Sequence, residues 1–362
     1  MNPVADIIRA EIAATGAIPF ARFMELALYC PDCGYYEKEN DTIGRRGDFY
    51  TSVSVGPLFG ELLAFQFAEW LAALNPQLTT LNLVEAGAHD GRLAKDILDW
   101  LRRRRPALFE RVEYSIIEPS LRRREWQRET LKTFPNVRWL DSELATYNRQ
   151  LKGVIFANEL LDALPVHRLG WDAKRREWFE WGVSVEGERF VWTRLPEKIQ
   201  SVLLPPPPAD ELQAVLPDGF TTEVGPAAQT WWEDAAQALK SGKLLTIDYG
   251  GRGEELFQPA RANGTLRAYH RHRASDDLLA QPGGQDLTAH VNFTAIQTAG
   301  ENAGLNTEAF ASQAQFLTGI AQQVWQDGSD FGPWTSEHTR QFHTLTHPEH
   351  LGRAFRTLIQ SR

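Results

Sequence analysis

The run Leu81-Asn82-Leu83-Val84-Glu85-Ala86-Gly87-Ala88-His89-Asp90-Gly91 constrains this chain more than any other stretch. Leu81, Leu83 and Val84 form the short apolar run of a strand covered on both faces. Gly87 and Gly91 permit a sharp turn and a close backbone approach, where a Cβ would collide. From Arg92 onward, Leu93, Ala94, Ile97, Leu98 and Leu101 recur at the spacing of one helix face. Strand, glycine turn and helix N-terminus in that order suit a nucleotide-like ligand at the carboxyl edge of a parallel sheet. The motif Glu-x-Gly-x-x-x-Gly is looser than the dinucleotide pattern Gly-x-Gly-x-x-Gly, and by itself it also fits any tight strand–helix corner. Its acid precedes the first glycine. A carboxylate there would attract the sulfonium and amino group of S-adenosylmethionine and repel a pyrophosphate.

The segments that follow repeat the arrangement. Val112 to Ile117 reads as a strand ending in Glu118-Pro119-Ser120, with a helix from about Leu121 to Phe134. Val137 to Leu140 is a short strand ending at Asp141-Ser142, and Gly153 to Ala157 is another ending at Asn158-Glu159. Lys243 to Gly250 reads as a fifth. Alternating strands and helices predict a doubly wound parallel sheet with each polar candidate at a strand's carboxyl end. That clustering is a stronger argument for a ligand site than the turn alone. Residues 166–196 change character: His167, Trp178 to Val183 and Arg189 to Trp192 read as antiparallel strands joined by charged turns. Upstream, residues 4–15 and 19–30 read as helices. The polar loop Gly44 to Ser52 follows, and then an apolar helix from Pro57 to Leu74. The tail beyond Glu308 reads as helical and polar.

The net charge of −9 argues against a general nucleic-acid or anionic-membrane binder. Arg102 to Arg105 and Arg122 to Arg124 therefore read as solvated helix faces. The two cysteines, Cys30 and Cys33, imply no disulfide framework and a reducing, cytoplasmic setting. Their spacing matches half a zinc site, but no second ligand pair follows, so a structural turn is expected and no metal. Residues 1–16 lack a signal-peptide core, and no run approaches the length of a membrane span.

Several segments resemble a known family in the right order: Phe20 to Tyr29, Gly34-Tyr35-Tyr36, Gly47 to Ser52, Phe59-Gly60, Ala157 to His167, Ile247-Asp248-Tyr249-Gly250, Gly264 to Arg267 and Asp286 to Val291. Together they resemble the MidA methyltransferases, which include a mitochondrial assembly factor of respiratory complex I. The resemblance spans Phe20 to about Ile320. It implies a class I methyltransferase (Rossmann-like) α/β doubly wound sheet with an N-terminal helical lid and an inserted antiparallel β region. The expected boundaries are 1–79 for the lid region and 80–362 for the core, with an insertion at 166–235 and C-terminal helices at 294–362. The implied cofactor is S-adenosylmethionine, and the implied acceptor is a protein side chain, arginine by resemblance, on a complex I subunit. Two departures stand out. His89 occupies the central glycine of the family's Glu-Leu-Gly-Pro-Gly-x-Gly turn, and Val53-Ser54-Val55 replaces Pro-Glu-Ile.

On this reading Gly87, His89 and Gly91 line the cofactor, Glu85 faces its amino-acid end and Glu118 takes the ribose hydroxyls. Asp141 and Ser142 read the adenine edge, although they equally suit a plain N-cap. Asp48, Thr51 and Ser52 close over the cofactor from the lid. Asn158, Glu159 and Asp162 lie where the acceptor arrives, with Glu159 and Asp162 on one face of a helical turn. Their carboxylates would hold a guanidinium through forked hydrogen bonds, and His167 or His290 would accept the released proton. The competing readings are a catalytically silent donor-binding assembly chaperone, a small-molecule O- or N-methyltransferase, and an NAD-dependent oxidoreductase, which the glycine spacing disfavours. The oligomeric state is not legible.

Overall fold

The computed structural model describes residues 2–38, 51–74, 77–140, 144–147, 150–196, 216–270, 273–326 and 329–362. The chain forms two compact units, each assembled from three stretches. Residues 1–49, 162–229 and 250–295 make one, and residues 50–161, 230–249 and 296–362 make the other.

The second unit holds the large sheet. Its strands, numbered in chain order, are β1 Leu81–Ala86, β2 Val112–Ile117, β3 Arg138–Leu140, β4 Leu151–Asn158, β5 Leu239–Gly251, β6 Asn306–Ser312 and β7 Phe355–Ser361. Across the sheet they run β6-β7-β5-β4-β1-β2-β3. Pairing is parallel from β3 through β2, β1 and β4 to β5, while β7 runs antiparallel between β5 and β6. β1 therefore lies beside both β2 and β4, where the succession of strands reverses. Ligands bind at the carboxyl ends of strands flanking such a reversal. One face is covered by the helices Leu58–Ala72, Arg92–Arg104 and Gln313–Val324. Phe59, Leu63, Phe67, Leu93, Ile97, Leu101 and Leu317 pack there with Leu83, Val154 and Phe156 of the strands. In the helix Arg92–Arg104 the apolar spacing read from sequence is the buried face, and Arg102, Arg103 and Arg104 in the last turn complement its dipole.

The first unit is built around an antiparallel sheet. Glu177–Glu186 pairs with Ile18–Pro19, His167–Asp172 and Arg189–Arg194, and His167–Asp172 pairs in turn with Thr221–Val224. The helices Pro3–Thr15 and Phe20–Tyr29 contribute Val4, Ile8, Phe20, Phe23 and Met24 to its core, together with Val166, Val183, Leu266 and Leu287. Cys30 and Cys33 are free thiols, with Sγ atoms 3.0 Å apart, in the turn that ends the second helix.

Three expectations need correction. Residues 50–74 do not join an N-terminal lid region: the helix Leu58–Ala72 is apolar almost all round, so it belongs under the large sheet. Region 294–362 is not only helical, because β6 and β7 lie within it. β7 buries Phe355, Thr357, Leu358, Ile359 and Gln360, and Gln360 Oε1 accepts a 2.7 Å hydrogen bond from Trp232 Nε1. Arg123 is not a solvated residue; it is buried with its guanidinium 4.8 Å from the centre of the Trp126 ring.

Candidate functional site

The turn after β1 has the backbone the sequence demanded. Gly87 and Gly91 have φ of +74° and +83°, in the region that glycine alone enters freely. A Cβ on Gly87 would lie 3.0 Å from Leu160 Cδ1, and one on Gly91 would lie 3.4 Å from Gln127 Cα. His89 shares the left-handed conformation, at φ +46°. Histidine tolerates this region better than most residues, at a cost of roughly 1–2 kcal/mol. The turn is held through its backbone, since the His89 carbonyl accepts a 3.0 Å hydrogen bond from Gln127 Nε2. The His89 ring packs edge-on against Trp126, with centroids 6.2 Å apart.

The two acids nearest this turn differ in kind. Glu85 shares a face of β1 with Leu81 and Leu83, which places it towards the helix-covered core. Its Oε2 accepts a 2.7 Å hydrogen bond from the Tyr114 hydroxyl. Burial raises the Glu85 carboxyl to about 8 against the opposing pull of that bond. Near pH 7 it is mostly neutral, so it supplies little of the negative charge the sequence reading assigned to it. Glu118, directly after β2, is also buried. Its Oε1 accepts from Ser120 N and its Oε2 from Gln127 Nε2, both at 3.0 Å. These bonds fix the carboxyl at the carboxyl end of β2, where an acid can meet a ribose diol.

At the end of β4 the chain makes a second unusual turn. Glu159 has φ +53° and precedes the short 3-10 turn Leu161–Ala163, so it does not share a helix face with Asp162 as expected. Asp248, fully buried at the end of β5, shapes this turn: its Oδ2 accepts from Leu160 N at 3.1 Å and from Leu161 N at 2.7 Å. The Glu159 backbone N–H donates to Ile247 O. Its Oε1 accepts from Ser52 N at 3.0 Å and from Asn158 Nδ2 at 3.2 Å. Burial raises the Glu159 carboxyl to about 7; the two hydrogen bonds oppose the rise and the Asp248 charge adds to it. A carboxyl poised near neutral pH is suited to general acid–base work. Asn158 Oδ1 is buried with no partner among the described residues.

Thr51 and Ser52 are buried in this same unit. Thr51 Oγ1 caps the short helix Ser52–Val55, and the Ser52 hydroxyl donates to Gln313 Oε1 at 2.9 Å. What Ser52 contributes to the turn is its backbone N–H on Glu159. Asp48, Asp141 and Ser142 lie outside the described residues.

The remaining candidates belong to the other unit. Asp162 accepts from Ala289 N through its backbone carbonyl. His167 Nδ1 lies 2.6 Å from Glu180 Oε1. His290 Nδ1 lies 3.1 Å from Arg261 Nη1, and burial, helped by Arg261 and Arg267, lowers its imidazole to about 4. That makes His290 a weaker proton acceptor at pH 7 than Glu159. Sequence reasoning missed Tyr114 and Gln127 as partners of the acids, and Trp139 as the partner of Gln127. It placed Asp248 in a family segment without a task. The only available signal was position: Gln127 and Trp139 lie on the first helix and strand after Glu118. Among the described residues no cluster of three His, Cys, Asp or Glu side chains could hold a metal ion, and no helix is long and apolar enough to cross a membrane.

A parallel sheet with a glycine turn at its reversal point, an anchored acid after the next strand and an antiparallel strand inserted between β5 and β6 fits the class I S-adenosylmethionine-dependent methyltransferases. Comparison with known proteins carries this to a family. The sequence profile of a family of S-adenosyl-L-methionine-dependent methyltransferases matches residues 62–311, and the chain belongs to that family, the MidA methyltransferases. Among its relatives is the Drosophila melanogaster mitochondrial protein named as a protein arginine methyltransferase NDUFAF7 homolog. It is 31% identical over 83% of this chain and 70% of its own length. The human protein arginine methyltransferase NDUFAF7 is also 31% identical, over 82% and 69%. A crystal structure of a Burkholderia thailandensis protein bound to S-adenosyl-homocysteine superposes with a TM-score of 0.84 at 35% identity, covering 99% of this chain and 92% of that one. The cofactor is S-adenosylmethionine, and the residues fit it: Gly87 supplies the close approach, Glu118 an anchored acid and Asn158 an unspent buried carbonyl oxygen. When bound, the cofactor supplies a methyl group on a positively charged sulfur.

Proposed function

We propose that this methyltransferase modifies an arginine side chain of a protein, with a subunit of respiratory complex I as the substrate class that the family resemblance implies. The observation that carries the reading is Glu159. The residue is half-buried, desolvation raises its carboxyl to about 7, and Ser52 N–H and Asn158 fix it at the carboxyl end of β4. A guanidinium is charged at neutral pH, and a carboxylate binds it through short, charge-assisted hydrogen bonds. Bonding to such a cation favours ionised Glu159, which orients the acceptor nitrogen and takes up the proton released on transfer. The relatives named as protein arginine methyltransferases support the choice of acceptor.

The test is transfer of a labelled methyl group into extract from cells lacking the protein, followed by peptide mapping. Label on arginine that disappears with Glu159→Gln, while S-adenosyl-homocysteine binding persists, is the expected result. Label on a small molecule, or transfer undiminished by Glu159→Gln, overturns it. One observation favours a second reading, an assembly factor that binds the donor without turnover: the imidazole of His89 stands where the family has glycine, in a left-handed turn. Calorimetric binding of S-adenosyl-homocysteine with no labelled product would select it.

A further inference from the structure

Gln127 has no exposed surface, and its amide nitrogen is directed at the cofactor edge. Its Nε2 donates at 3.0 Å both to Glu118 Oε2 and to the carbonyl of His89. Its Oε1 accepts at 2.8 Å from Trp139 Nε1 on β3. One planar group therefore ties the acid after β2 to the turn after β1, with β3 as the fixed post. An amide has two N–H donors and one carbonyl, so these three bonds leave only one orientation that satisfies all of them. The helix Leu121–Thr130, which carries Gln127, also packs on the turn itself, since a Cβ on Gly91 would meet Gln127 Cα at 3.4 Å. We infer that Gln127 is a positioning residue for the methyl donor, setting the Glu118 carboxylate and the His89 turn at a fixed separation so that ribose and amino-acid ends are gripped together. It does not touch the donor in this account; it acts through Glu118 and the turn. The inference rests on Glu118 as the ribose-binding acid.

The decisive measurements are calorimetric titrations of S-adenosyl-homocysteine and its 2′-deoxy analogue into the wild type, Gln127→Met, Glu118→Ala and the double variant. Methionine keeps the side-chain volume and removes the three bonds. Gln127→Met should weaken S-adenosyl-homocysteine binding at least tenfold and shrink the preference for the 2′-hydroxyl. In the Glu118→Ala background the same change should cost less than threefold. A purely structural role would weaken both ligands equally and leave the hydroxyl preference intact, which overturns the proposal. If Glu118→Ala binds as the wild type does, the ribose assignment falls and the proposal falls with it. If Glu118→Ala weakens binding but Gln127→Met does not, the positioning role alone is wrong. Trp139→Phe removes only the donor that fixes Gln127 Oε1, and it keeps the question answerable should Gln127→Met fold poorly. It should give a smaller loss of the same hydroxyl preference, and an unchanged preference counts against the proposal.

Discussion

Replacing Glu159 with Gln should make the protein more stable than the wild type at high pH and not at low pH. Burial lifts the carboxyl from its ordinary value of 4.5 to about 7. For a group raised in the folded state, the stabilising contribution is fully present below the unfolded value and is lost as pH rises through the folded one. The loss here falls between pH 4.5 and about 7, over roughly 2.5 units at about 1.4 kcal/mol each, or about 3 kcal/mol in all. Glutamine keeps an oxygen able to accept from Ser52 N and Asn158 Nδ2, so the anchors survive while the titration disappears. Urea unfolding of both proteins from pH 5 to pH 8 reads the effect. The stability difference, variant minus wild type, should grow by about 2–3 kcal/mol across the series, because part of the loss already lies below pH 5, and contributions from other titrating groups cancel in that difference. A difference that stays flat would mean that the carboxylate is solvated or compensated. The argument for a carboxyl poised near neutrality would then fail.

Other consequences can be measured alongside it. Asp248→Asn removes a charge that raises Glu159, so the pH at which methyl transfer switches should move downward, and an unmoved profile would separate the two acids. Tyr114→Phe leaves the buried Glu85 carboxyl without its hydroxyl donor and should cost about 1–3 kcal/mol in urea unfolding, with less than 0.5 kcal/mol counting against the bond. At position 89, Gly and Val test the backbone: Val strongly disfavours the left-handed region, so His89→Val should be about 1–2 kcal/mol less stable than His89→Gly. Equal unfolding midpoints would contradict that conformation. Burial raises the Cys33 thiol to about 12, so alkylation of Cys33 at pH 7 should be far slower than that of a free thiol under the same conditions.

Much of this arrangement could be read before the structure, and for a local reason. The strands β1, β2 and β4 carry short apolar runs that end at Gly, Glu and Asn-Glu, and parallel connectivity brings such ends to one edge. The turn at Gly87 and Gly91 was legible because few other residues enter left-handed backbone freely. Glu159 and Asp162 were misjudged together: spacing alone suggested a helix turn, but buried Asp248, 86 residues beyond Asp162 in the sequence, takes the Leu160 and Leu161 N–H groups and delays the helix. Charge state was equally hidden. The face of β1 on which Glu85 falls buries its carboxyl and leaves it mostly neutral near pH 7, which its position before the glycine turn does not reveal. β7 escaped notice because the polar residues Thr357 and Gln360 are buried in it, Gln360 through side-chain hydrogen bonds with Trp232, Gln297 and Thr307, which no hydropathy pattern reveals.

The position of β7 governs the order of events during synthesis. Phe355–Ser361 inserts between β5 and β6, so until residue 361 has left the ribosome those two strands each lack their neighbour on that side. A nascent chain stalled earlier presents two unsatisfied ladders and the apolar surface of Leu245 and Ile247, a template for aggregation. Closure of this side of the sheet therefore waits for β7, and until it arrives the edge of β5 stays open to pairing with another chain.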